Sequence, residues 1–128
     1  MTVTANGLDE LKALAGTDLG HTGWLEITQD RVNTFADATD DHQWIHVDRD
    51  RAAAGPFGTT IAHGFLTVAL LTRLVFEAVE VAIPCKLKIN YGFNKLRFPS
   101  PVPSGSRART SSSLIPAPCV TSAAIASA

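Results

Sequence analysis

The sequence predicts an α+β fold in which one long apolar helix must be covered by strands. The stretch from Thr59 to about Glu80 carries Ile61, Ala62, Phe65, Leu66, Val68, Ala69, Leu70, Leu71, Leu74, Val75 and Phe76. A helix that apolar on nearly every face is buried all round in a water-soluble chain. "CKLKINYGFNKLRF", residues 85–98, alternates Leu87, Ile89, Tyr91 and Phe93 with polar residues, the period of a strand with one buried face. The 128 residues suit a single domain, 1–128.

The remaining elements follow in order. Leu8, Leu11, Ala13, Leu14 and Ala15 fall at helical spacing over 7–15. "GTDLGHTG" is a turn-rich link, and "WLEIT" a short strand. "TQDRVNTFADATD" places Val32, Phe35, Ala36 and Ala38 on one helical face, with Thr28 as the N-cap. After the polar stretch 39–48, "DRDRAAAGPFG" reads as a short helix capped by Asp48 and ended by Gly55-Pro56. Thr59 or Thr60 would cap the central helix. "PSPVPSG" is a turn, and "SRART" begins another strand. The last stretch, "SSSLIPAPCVTSAAIASA", is rich in Ser, Ala and Thr with two prolines and no clear period. It promises few of the long strands that would cover an apolar helix.

Composition narrows the function classes. The chain is 45% hydrophobic and 18% charged with a net charge of −1, which marks a folded protein rather than a disordered one. Near-neutral charge argues against nucleic acid as the main partner. All acidic residues lie at or before Glu80, and only Lys86, Lys88, Lys95, Arg97, Arg107 and Arg109 follow. That basic half either meets an anionic ligand or pairs with the acidic half. Cys85 and Cys119 have no metal-site spacing and read as small buried residues in a reducing compartment. The N-terminus lacks a basic start followed by an apolar run, and His63 and Arg73 interrupt the longest apolar stretch. The expectation is a cytoplasmic protein with no membrane span.

Two stretches hold the chemistry. "TDDHQWIHVD", residues 39–48, has His42 and His46 four apart with Asp41 and Asp48 nearby, a spacing open to a metal. It also sets Asp41 near His46, an acid–base pair able to activate water if a turn brings them to one cleft. A solvated loop with Asp48 as a helix cap is the plainer alternative. "GPFGTTIAHGF" places His63-Gly64 at the start of the central helix. Free N–H groups there, and a glycine that admits a ligand close to the backbone, are the parts of an oxyanion hole. Equally, Gly64 could serve only close packing, and His63 could be a buried structural histidine.

Together, "FADATDDHQWIHVDRDRAAAGPFGTTIAHGFLTVALL" and "INYGFNKLRFPSPVPSGSR" resemble the MaoC-like (R)-specific enoyl-CoA hydratases, over roughly residues 8–109. The resemblance implies the hot-dog fold, a central helix wrapped by an antiparallel sheet. It implies hydration of a trans-2-enoyl-CoA to the (R)-3-hydroxyacyl-CoA and the reverse dehydration. The family's aspartate and the histidine five residues on fall on Asp41 and His46, and its His-Gly on His63 and Gly64, the latter two as substrate-binding residues. A family serine on the central helix would fall near Thr72, which differs in type. Asp40-Asp41 stands where the family has Gly-Asp, and the added charge would raise the Asp41 pKa if both were close and poorly solvated.

The resemblance further implies an acyl-CoA substrate, with Lys95 and Arg97 towards its phosphates. It implies no metal or redox cofactor, and a homodimer with the site near the subunit boundary. Rival readings are a hot-dog thioesterase, a catalytically dead acyl-CoA binder, and a metal module on His42 and His46. The tail from 110 to 128 departs from the family's valine- and charge-rich strands. It suggests a shifted reading frame or truncation near residue 108 and a sheet incomplete at the C-terminus; a divergent, functional end is the alternative.

Overall fold

Local sequence signals set most of the first half of the chain. The structure, a computed structural model, describes residues 3–81, 86–87, 89–115 and 120–127; Cys85, Lys88 and Cys119 lie outside them. Strand β1 (Val3–Ala5) is followed by helix α1 (Leu8–Ala13), strand β2 (Asp18–His21) and strand β3 (Leu25–Glu26). Helix α2 (Gln29–Thr39) starts where Thr28 accepts a hydrogen bond from the Arg31 N–H, a cap worth about 1 kcal/mol. It ends at Asp40, whose φ of 58° is left-handed. Two short helices follow, α3 (Trp44–Val47) and α4 (Arg49–Ala53). Asp48 caps α4 through the Arg51 N–H, as the sequence predicts.

The central helix α5 (Gly64–Ala78) leads into β4 (Val79–Val81), which pairs in parallel with β1. The long hairpin partners β5 (Arg107–Ile115) and β6 (Val120–Ser127) close the chain. β6 pairs with β5 antiparallel from Ala108↔Ser127 to Ile115↔Val120. β2 and β3 both pair with β5, through His21↔Ser111 and Leu25↔Ala108. They therefore lie end to end along its other edge, joined where Thr22 N–H donates to the Thr110 carbonyl. Ile27, Val32, Ala62, Leu66 and Ala108 form a core between α2, α5 and the sheet. Leu19 and Ala78 form a second, with Val3, Leu11 and Leu14 against it.

Four sequence expectations need correction. α5 starts at Gly64 rather than at Thr59 or Thr60, and the His63 carbonyl receives the Leu66 and Thr67 amides. α5 is not buried all round: Leu66, Leu74 and Ala78 are buried, but Phe65 is 70% and Phe76 52% exposed. The sheet contacts α5 through β5 and β2, and with the α2 and α1 contacts it covers one side of the helix and not the other. The alternating stretch 85–98 forms no strand among its described residues, and Leu87, Ile89, Tyr91 and Phe93 are exposed; an apolar period alone makes no strand without a ladder partner. The Ser/Ala-rich tail, by contrast, does pair. Its backbone ladder needs no apolar period, and Thr, Val and Ile there favour extended backbone. The described antiparallel sheet, β2, β3, β5 and β6, does not enclose α5.

Candidate active site

Residues 60–64 run between the α3 region and the loop before β5. Ile61 N–H donates to the Ile45 carbonyl, Ala62 N–H to Val102, and Ser104 N–H to Thr60. This crossing segment brings His63 and Gly64 against the 41–46 stretch.

His46 is 7% exposed and held from three sides. Its Nδ1 lies 2.7 Å from the Ile61 carbonyl oxygen. A carbonyl only accepts, so Nδ1 carries the proton and a neutral His46 keeps a bare lone pair on Nε2. The His46 carbonyl accepts from Gln29 Nε2 at 2.8 Å, and Gln29 Oε1 accepts from the Thr60 hydroxyl. The His63 ring stacks on the His46 ring, centroids 3.8 Å apart and planes 23° from parallel. His63 is itself 3% exposed, with Phe35 tilted against its ring at 4.9 Å.

Asp41 follows the left-handed Asp40. Its carbonyl accepts from His63 Nε2 at 2.9 Å, and its Oδ2 lies 3.9 Å from that nitrogen. Its Oδ1 accepts from the Gln43 N–H at 3.4 Å. The carboxylate is about half exposed and Asp40 is exposed, so the two are not poorly solvated. The structure therefore brings Asp41, His46 and His63 together, their ligand-capable atoms within 4.8 Å of one another.

Gly64 opens α5, and no hydrogen bond is made to its N–H among the described residues, as expected in a first helical turn. A Cβ there would meet three ring atoms of Phe98 at 3.1 Å. Glycine is thus what lets the Phe98 ring lie flush against the helix start, and Phe98 in turn contacts Phe65 edge-on at 6.1 Å.

The other sequence candidates separate. His42 and His46 do not share a ligand site: exposed His42 pairs with Asp37 at 2.8 Å, and that hydrogen bond raises its pKa. Asp48 is spent on capping α4. Thr72 lies exposed on α5, eight residues and roughly 12 Å of helix beyond Gly64. Lys95 and Arg97 are exposed, in the same segment that delivers Phe98 to Gly64. Arg107 and Arg109 lie over the Trp24 ring, at 5.5 and 4.5 Å, rather than against a carboxylate. A cavity of about 490 Å³ opens beside Thr28, Gln29, Thr60 and Ser104 and is lined by none of Asp41, His46, His63 or Gly64. Gln29, Thr60 and Phe98 were not legible as site residues; an amide in a first helical turn and a Phe after a basic residue carry no distinctive pattern.

The sequence model of the MaoC like domain matches residues 10–115. The chain is 61% identical over 112 residues to the 3-hydroxyacyl-thioester dehydratase Z of Mycobacterium tuberculosis, covering 88% of this chain and 74% of that one. It is 52% identical over 101 residues to nodulation protein N of Rhizobium meliloti, covering 78% of this chain and 63% of that one. Among solved structures, the unliganded R-hydratase PhaJ1 of Pseudomonas aeruginosa superposes with a TM-score of 0.71 at 23% identity, over 88% of this chain and 71% of that one. The chain belongs to the MaoC-like dehydratase family, hydro-lyases with the hot-dog fold.

Proposed function

We propose that the protein adds water reversibly to a trans-2-enoyl-CoA to give the (R)-3-hydroxyacyl-CoA, with Asp41 and His46 handling the water and Gly64 the thioester carbonyl. The observation that carries this reading is the His46 Nδ1 to Ile61 carbonyl contact of 2.7 Å. It leaves Nε2 as the free base, on a ring stacked on His63 in a cluster with Asp41 whose ligand-capable atoms lie within 4.8 Å of one another. In the hydration direction His46 Nε2 takes one proton from the water, and the water oxygen forms its bond to Cβ. The double-bond electrons move to Cα, and the resulting enolate charge on the thioester oxygen is met by the Gly64 N–H. The imidazolium then returns its proton to Cα, so atoms and charge balance. Asp41 accepts a hydrogen bond from the water's remaining O–H, which stays on the product hydroxyl, and faces the transient imidazolium.

The rest of the molecule is read in the same frame. Residues 1–128 act as one domain. Lys95 and Arg97 sit in the segment that reaches Gly64, in reach of a cytoplasmic coenzyme A phosphate approaching that helix start. Phe65 and Phe98, in edge contact, and Ile89, Tyr91 and Phe93 are between 50% and 103% exposed, which suits cover by a second copy of the chain that would enclose the acyl group. The 3-hydroxyacyl thioester in the name of a relative at 61% identity supports the substrate class.

The test follows crotonyl-CoA with purified protein in two channels: loss of the conjugated double bond and release of free thiol. The first without the second, strongly reduced in Asp41→Asn, is the expected result. Thiol release would make the protein a thioesterase. Binding without either signal would make it a non-catalytic acyl-CoA binder.

A further inference from the structure

We infer that His63 is a positioning residue, fixing the Asp41 turn against His46 without touching substrate. The inference rests on the acid–base pair proposed above and assigns His63 a place apart from the substrate contact that the family resemblance implies. His63 is the side chain that meets both members. Its ring lies on the His46 ring at 3.8 Å, and its Nε2 is 2.9 Å from the Asp41 carbonyl oxygen. Because that oxygen can only accept, the proton sits on Nε2 and Nδ1 is bare. Nδ1 is buried and has no hydrogen-bond partner. One nitrogen is therefore spent on the backbone and the other is enclosed, in a residue 3% exposed. Neither is available to a substrate.

The turn it anchors has reason to need holding. Asp40 takes the left-handed conformation at φ 58°, which a residue with a Cβ adopts at a cost. The Asp41 carboxylate is about half exposed, and its other contact is the long one to Gln43. A phenylalanine would fill the space beside Phe35 and stack on His46 without burying an unpartnered nitrogen. What it could not do is donate to the Asp41 carbonyl. The N–H donor, rather than the ring's bulk, is the feature that only an imidazole or an amide supplies there.

The experiment compares His63→Gln, which keeps a donor, with His63→Phe, which keeps the ring. Two readouts are taken: kcat and KM for crotonyl-CoA, and the backbone amide resonances of residues 40–46 in 1H–15N spectra. His63→Phe should lose about 100-fold in kcat, the scale of an ångström's misplacement, with KM unchanged and the amides of 41–43 displaced. His63→Gln should stay within about 10-fold of the parent kcat, with amides near their original positions. A KM increase with unchanged kcat in either variant would overturn the inference, as would parent-like turnover and amides in His63→Phe. Should His63→Phe lack a cooperative unfolding transition, His63→Asn, whose amide is too short to reach Asp41, replaces it. If the parent protein does not hydrate crotonyl-CoA, the functional reading fails while the amide positions still decide what His63 holds.

Discussion

Before Gly64 in sequence the fold buries polar rings, and after it the fold exposes apolar ones. His46 and His63 are 7% and 3% exposed, whereas Phe65, Ile89, Tyr91 and Phe93 are 70%, 78%, 103% and 60% exposed. Both departures from ordinary burial are informative. The histidines are enclosed because backbone carbonyls of Ile61 and Asp41 take their protons, and because α2, α3 and the 60–64 segment supply the walls. The apolar end has no such partners among the described residues.

The sharpest way to break the comparison is at the enclosed end. His46→Gln can still donate to the Ile61 carbonyl but offers no basic nitrogen; kcat should fall by roughly 10²–10⁴-fold, with the unfolding midpoint little changed. At the open end, Ile89→Lys combined with Tyr91→Glu places charge on the exposed strip. Sedimentation should show at least a tenfold weaker self-association if a second copy covers it, and no change if none does. Gly64→Ala probes the boundary. Its Cβ meets the Phe98 ring at 3.1 Å, so it should cost about 1 kcal/mol in denaturant unfolding, and less when Phe98 is also Ala, as coupled neighbours do.

Two smaller effects sharpen the same picture. Asp40→Gly removes the left-handed strain and, set against the looser unfolded chain, should stabilise by about 0.5 kcal/mol. Asp37→Asn tests the exposed pair. The Asp37 hydrogen bond raises the His42 pKa, so what stability it adds is present below the usual histidine value near 6.5 and lost as pH rises through the raised one. In Asp37→Asn the His42 resonance should titrate at lower pH, with turnover unchanged.

Sequence legibility differed between the same two ends. Thr28 and Asp48 as caps, Asp41 with His46, and His63-Gly64 at a helix start could all be read, because each is a local pattern with a local physical cause. The stack of His63 on His46 and the Gln29–Thr60 brace could not, since they depend on where the 60–64 segment crosses. The central helix misled most. Its apolar faces announce burial correctly as a need, but composition does not say whether one chain or two will meet it. The Ser/Ala-rich tail misled in the opposite direction, for a hairpin ladder is made by backbone groups that leave no side-chain period to read.

The proposed hydration requires His46 to enter catalysis with Nε2 free. A long-range 1H–15N spectrum of the resting protein near pH 8 reports the ring tautomer directly. A proton on Nδ1 and a bare Nε2 is the predicted result; a proton on Nε2, with Nδ1 bare against the Ile61 carbonyl, would contradict it.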